Sequence, residues 1–156
     1  MLLTDVAVVG GGPAGAAAAV ALARAGRDVV VVDKARFPRD KCCGDGLTAG
    51  ALRTLEGLGL DPQSVASWLQ VDDVVLRSPS GREVRLPLPR GQGVFAAVAR
   101  RMDLDAAVLD LARAAGAKVL DGHACTGATN HADRIVLDVE GIGEVHARYA
   151  IGADGM

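Results

Sequence analysis

The run Gly10-Gly11-Gly12-Pro13-Ala14-Gly15, set between a β-branched segment and an alanine-rich one, constrains this chain more than anything else in it. Thr4 to Val9 (TDVAVV) is short, apolar and stopped by glycine, the pattern of a buried strand. Pro13 to Ala25 reads as a helix, with proline suited to its first turn and Gly26 to its carboxyl end. Asp28 to Asp33 (DVVVVD) is a second apolar run without alternation, as expected of a strand covered on both faces. Strand, helix and strand within residues 4–33 make a βαβ unit, whose crossover is nearly always right-handed.

In that setting G-x-G-x-x-G acquires a chemical meaning. Gly10 permits the tight turn, Gly12 lets the backbone approach a pyrophosphate, and Gly15 lets the helix lie close on the strand. The helix start at Pro13 and Ala14 presents free N–H groups and a positive dipole end to phosphates. Asp33 ends the second strand, where an acidic side chain accepts hydrogen bonds from adenosine ribose hydroxyls. A carboxylate there disfavours a 2′-phosphate, which points to FAD or NAD rather than NADP.

The rest of the chain alternates strands and helices. Lys34 to Gly46 (KARFPRDKCCGDG) is a loop, Leu47 to Leu58 has helical spacing, and Asp61 to Leu69 is predicted to be another helix. Val71–Arg77 and Arg82–Leu88 are predicted strands of a hairpin around Ser78-Pro79-Ser80-Gly81, an antiparallel excursion over about 71–88. Gly93–Ala99 is a strand and Asp103–Ala115 a helix stopped by Gly116. Strands follow at Lys118–Leu120, His123–Ala128, Arg134–Val139 and Glu144–Ile151. The expected fold is α/β, a Rossmann-like parallel sheet in a three-layer arrangement.

Composition narrows the classes. A net charge of -2 and only one Trp, one Tyr and two Phe supply neither the basic footprint nor the stacking surface of a nucleic-acid binder. Val6 to Ala23 is uncharged, but its glycines and Pro13 break it, so no membrane span is assigned. Three cysteines without Cys-x-x-Cys spacing point to a reducing, cytoplasmic setting and speak against a metal site joining His123, Cys125, Cys42 and Cys43. His123, His131 and His146 are scattered, and no Ser-His-Asp or paired-carboxylate set is evident. No catalytic side chain and no metal ligand are therefore assigned. Lys34, Arg36, Arg39 and Lys41 either hold cofactor phosphates or form a solvated loop. Arg100 and Arg101 either serve a cofactor or pair with Asp103 and Asp105.

Three further segments carry a resemblance. They are Phe37-Pro38-Arg39-Asp40-Lys41-Cys42-Cys43-Gly44-Asp45-Gly46-Leu47, Arg101-Met102-Asp103-Leu104-Asp105, and Tyr149 to Gly155. Together with Asp33 they make the chain resemble the FAD-dependent geranylgeranyl reductase family. That family lies within the flavoprotein reductases and monooxygenases with an aromatic-hydroxylase type of FAD domain. The resemblance implies that Cys43, Gly44, Asp45 and Gly46 lie near the flavin ring, with Cys43 in a positional role. Cys42 stands where the family often has proline. It also implies that Arg101 lies near FAD and that Asp154-Gly155 is the strand-end Asp-Gly motif. Lys34 is grouped with these residues as a cofactor contact.

The activity so implied is hydride transfer from reduced flavin to isoprenoid double bonds of a geranylgeranyl lipid or a menaquinone side chain. NAD(P)H or another donor would reduce the flavin, and a lipid substrate implies peripheral attachment to the inner membrane face. A monooxygenase or halogenase is the same-fold alternative, and a non-catalytic nucleotide-binding module the alternative of a different class. Family members are longer, so residues 1–156 are read as the amino-terminal part of an FAD-binding domain without its substrate domain. On that basis weak FAD retention, poor solubility and no activity are expected of the chain alone.

Overall fold

The structure is a computed structural model that describes residues 1–89, 91 and 93–155. It opens with strand β1 (Leu2–Val9), helix α1 (Pro13–Arg24) and strand β2 (Val29–Asp33). There follow β3 (Gly46–Thr48), α2 (Ala49–Gly57), a 3-10 turn (Pro62–Ser64), β4 (Leu69–Gln70), β5 (Asp73–Arg77), β6 (Glu83–Pro87) and β7 (Ala96–Val98). The chain closes with α3 (Arg101–Ala114), β8 (Lys118–Asp121), β9 (Cys125–Asn130), β10 (Ile135–Val139) and β11 (Gly143–Gly152).

Six strands form the main sheet in the order β8-β2-β1-β11-β10-β9. The pairs β8–β2, β2–β1 and β1–β11 are parallel, whereas β10 and β9 continue antiparallel. The valines of β2 are buried on both faces, which is why that segment lacks alternation. On one side Val6, Val8, Val29 and Val31 pack with Ala16, Ala19 and Val20 of α1 and Leu104, Val108 and Leu109 of α3. The other way, Ala7, Val30 and Val32 join Leu137 and Val139 of β10 and Val145 and Ala147 of β11. Alanine along the buried side of α1 keeps the helix close to the sheet, whose parallel strands run on into the antiparallel β10 and β9. This is the α/β, Rossmann-like architecture that the βαβ pattern predicts.

Several local expectations are corrected. Asp61–Leu69 is not a helix. The Asp61 carboxylate caps only the Pro62–Ser64 turn, accepting from Gln63 N at 2.9 Å, after which Val65 is extended. Burial of Leu60 and Val65 and the pairing of Leu69 and Gln70 with β7 pull this segment out of helical geometry. Leu47 is strand, not helix, because β3 pairs with β7; the helix begins after Thr48, whose hydroxyl accepts from Ala51 N. The strand expected over 93–99 is confined to Ala96–Val98, and α3 starts at Arg101 rather than Asp103. The hairpin β5–β6 forms in the register Val74↔Leu86 and Leu76↔Val84, with those four side chains exposed.

Leu109 is among the largest fully buried side chains and joins α3 to the sheet. Leu109→Ala is expected to cost roughly 2–5 kcal/mol of stability. The check is the urea midpoint at unchanged m-value.

Candidate cofactor-binding site

The site lies at the carboxyl ends of β1, β2 and β11, where the sheet hands the chain to α1. Its glycines differ in what holds them. Gly10 has φ +108, and a Cβ there would stand 2.3 Å from the Ala153 carbonyl oxygen. Ala153 N donates to Val9 O at 2.7 Å and Gly10 N to Val32 O at 2.8 Å, so the turn is tied to both flanking strands. A Cβ on Gly15 would lie 1.9 Å from the Gly10 carbonyl oxygen, which makes it the contact point of helix and turn. Gly12 is different. Its φ of -67 suits any residue, and a Cβ there would meet only Arg39 Nη2 at 3.5 Å and Arg101 Nη2 at 3.9 Å. Gly12 also caps α1 without a side chain, and no acidic residue stands in the first turn. That leaves the positive helix end open to an anion.

Asp33 is fixed beside this turn. Its Oδ2 accepts from Gly11 N at 2.7 Å and its Oδ1 from Ala35 N at 2.8 Å. A carboxylate oxygen has two lone pairs, so each keeps capacity for a further donor. Gly10, Asp33, Lys34, Arg39, Lys41, Asp154 and Gly155 line a cavity of about 400 Å³ beside the turn. The basic run in the loop is therefore divided. Lys34, Arg39 and Lys41 border the cavity, whereas Arg36 packs over Gly122.

A second cavity of about 390 Å³ opens on the far side of the turn. Pro13, Ala14, Cys43, Asp45, Gly46 and Arg101 border it, and Leu47, Leu55 and Leu104 supply apolar wall. Asp45 adopts φ +54, which brings the loop back toward α1. Cys43 is exposed, and its pKa is lowered first by a hydrogen bond from the Asp45 backbone and then by Arg101. Gly44 borders neither cavity, and no atom lies near a Cβ built on it. Nothing in the structure requires glycine at that position.

Between the cavities, Asp105 of α3 is completely buried and meets two guanidinium groups. Arg101 Nε and Nη2 donate to its two oxygens at 2.7 and 2.8 Å, and Arg39 Nη1 donates to Oδ2 at 2.8 Å. Arg39 also lies over the Phe37 ring, 4.8 Å from its centroid. The carboxylate holds Arg101 above even the usual guanidinium range. Of the two sequence alternatives for Arg101, the pairing with Asp105 is observed, and the same guanidinium stands beside the turn. Arg100 pairs with Asp103 at 3.2 Å on the exposed side.

A match to the FAD binding domain family spans residues 3–156. The chain belongs to that family. This FAD binding domain is 44% identical over 142 residues to a menaquinone reductase of Mycolicibacterium smegmatis, covering 86% of the chain and 34% of that protein. It is 35% identical over 157 residues to digeranylgeranylglycerophospholipid reductase 2 of Methanopyrus kandleri, covering 97% of the chain and 37% of that protein. Among solved structures it superposes on a geranylgeranyl bacteriochlorophyll reductase-like protein of Thermoplasma acidophilum. The TM-score is 0.82 at 27% identity, over 99% of the chain and 40% of that protein. The chain thus spans little more than a third of the length of these relatives. The resemblance to geranylgeranyl reductases read from the Cys42-Cys43 loop agrees with these names.

Two residues of the site escaped the sequence reading. Asp105 entered it only as one possible partner for an arginine, and Phe37 only as part of a motif. The i, i+4 spacing of Arg101 and Asp105 is a signal for their pairing. No local signal brings Arg39 across 66 positions to the same carboxylate. The histidines stay outside: His123 Nδ1 lies 2.9 Å from Glu140 O, and His146 pairs with Glu144 at 2.7 Å. Among the described residues there is no metal-ligating cluster of three or more, and no helix is long and apolar enough to cross a membrane.

A thiol whose pKa is lowered becomes thiolate, and hence nucleophilic, at lower pH than an ordinary cysteine of about 8.5. Cys43 is expected to reach its half-maximal rate with iodoacetamide at a lower pH than the same cysteine in an unfolded peptide. Arg101→Ala should move the midpoint upward. Peptide-resolved alkylation over about pH 6–10, a range that brackets the ordinary thiol value, measures both.

Proposed function

We propose that this domain binds FAD across the Gly12 turn and belongs to a reductase of isoprenoid double bonds. The observation that carries the binding proposal is the open side of Gly12, set between a fixed carboxylate and two guanidinium groups. The residues present fit the cofactor. Gly10 and Gly15 hold backbone so close that no side chain fits, while the space beside Gly12 remains free for phosphate. Asp33 would hold the adenosine ribose, and Gly12, Pro13, Ala14 and Arg101 would face the diphosphate. Lys34, Asp154 and Gly155 would border the adenosine half; Cys43, Asp45 and Gly46, with Gly44 between them, would border the flavin half.

FAD, when bound, supplies hydride transfer. The chain's own part is binding, orientation and electrostatics. Arg101 is held in place by its paired hydrogen bonds to Asp105, and the second cavity offers an apolar wall on that side of the turn. The substrate class rests on relatives that are named for menaquinone and for a digeranylgeranyl lipid, both of which bear isoprenoid chains. A nicotinamide nucleotide is proposed as the reductant of the whole protein, which would meet its lipid substrate at a membrane surface.

Gly12→Ala separates binding from folding. Its Cβ makes only ordinary contacts, so the stability cost is at most about 1 kcal/mol for a changed helix cap. ADP affinity should fall by about tenfold or more, as charge-assisted hydrogen bonds of about 1.5–3 kcal/mol are displaced. Calorimetric titration with ADP, beside a thermal melt, reads both. For the protein of the relatives' length, turnover of a menaquinone side chain should proceed without oxygen. A strict oxygen requirement would replace the reductase with a monooxygenase.

A further inference from the structure

We propose that Arg39 is a second ligand for the cofactor diphosphate, and that Asp105 and Phe37 are the positioning residues that aim it. This rests on the FAD reading and goes beyond it. Asp105 is fully buried and carries one negative charge, which a single arginine would neutralise. It has two, each only about one-sixth exposed at 17% and 16%. Two guanidinium groups against one carboxylate leave a net positive charge beside the amino terminus of α1, itself a positive dipole end. Two positive features facing one space repel each other unless an anion lies between them.

The geometry agrees with that charge count. Arg39 spends Nη1 on Asp105 and holds Nη2 toward Gly12, while Arg101 spends Nε and Nη2. A guanidinium has five N–H donors, so both keep donors to offer. Arg39 borders the cavity beside Asp33, and Arg101 the cavity beside Cys43. Asp105 joins them at the turn between the two cavities. A dinucleotide running from one cavity to the other has its diphosphate at that crossing. The Phe37 ring beneath Arg39 holds the guanidinium plane, and the ring is itself seated against Gly11.

The test is calorimetry on the whole chain with ADP and with adenosine, which lacks the phosphates. Arg39→Met is expected to weaken ADP by about tenfold or more and leave adenosine within about twofold, with partial recovery in Arg39→Lys. Asp105→Asn decides the positioning role, because removing a negative charge would by simple electrostatics tighten ADP. Loss of aim instead weakens it by about tenfold. Should Asp105→Asn fail to fold, Phe37→Leu changes no charge and is expected to give the same split between ADP and adenosine. Unchanged ADP affinity in Arg39→Met overturns the ligand role, and tighter ADP in Asp105→Asn, or no split in Phe37→Leu, overturns the positioning role. A wild-type chain that binds neither ADP nor FAD fails the FAD reading itself.

Discussion

The site depends on the backbone of Gly10 touching two segments at once. Its carbonyl oxygen stands where a Gly15 side chain would begin, and its own Cα faces the Ala153 carbonyl with no room for Cβ. The end of β1, the start of α1 and the end of β11 thereby meet without side chains between them. Only that proximity lets the helix terminus and the carboxylate of Asp33 share one small space. A methyl group at either glycine would separate the elements, and the geometry around Gly12 would go with them.

A charged layer is built on this backbone contact. Burying Asp105 carries a desolvation cost that its two arginines offset through hydrogen bonds of 2.7–2.8 Å. The carboxylate thereby connects the loop after β2 to the first turns of α3. Phe37 adds a second anchor, since its backbone N–H donates to Asp121 at the end of β8. The loop is thus held at the sheet edge and at the helix, and its basic residues are sorted: three beside the cavity and Arg36 away from it.

Much of the fold was legible because its signals are local. Val29–Val32 announces burial on both faces, Gly26 and Gly116 end their helices with positive φ, and β5–β6 follows from its turn residues. The errors fall where partners are distant. Leu47 and Leu69 have helical spacing with their neighbours, yet β7, far along the chain, claims both as strand. Asp61 is a good helix start, but burial of Val65 stops the helix after one turn. Periodicity cannot register a pairing that lies tens of residues away.

The same division holds for the site. From the order of residues alone came the turn, its three differently constrained glycines, the acid at the end of β2 and the kinship carried by the Cys42-Cys43 loop. These are contiguous features, and local backbone sterics dictate them. Tertiary structure alone decided which of four basic loop residues face the turn, that Arg39 and Arg101 share one buried carboxylate, and that two cavities flank Gly12. Such choices arise from packing and long-range charge pairing, whose partners no stretch of chain contains together.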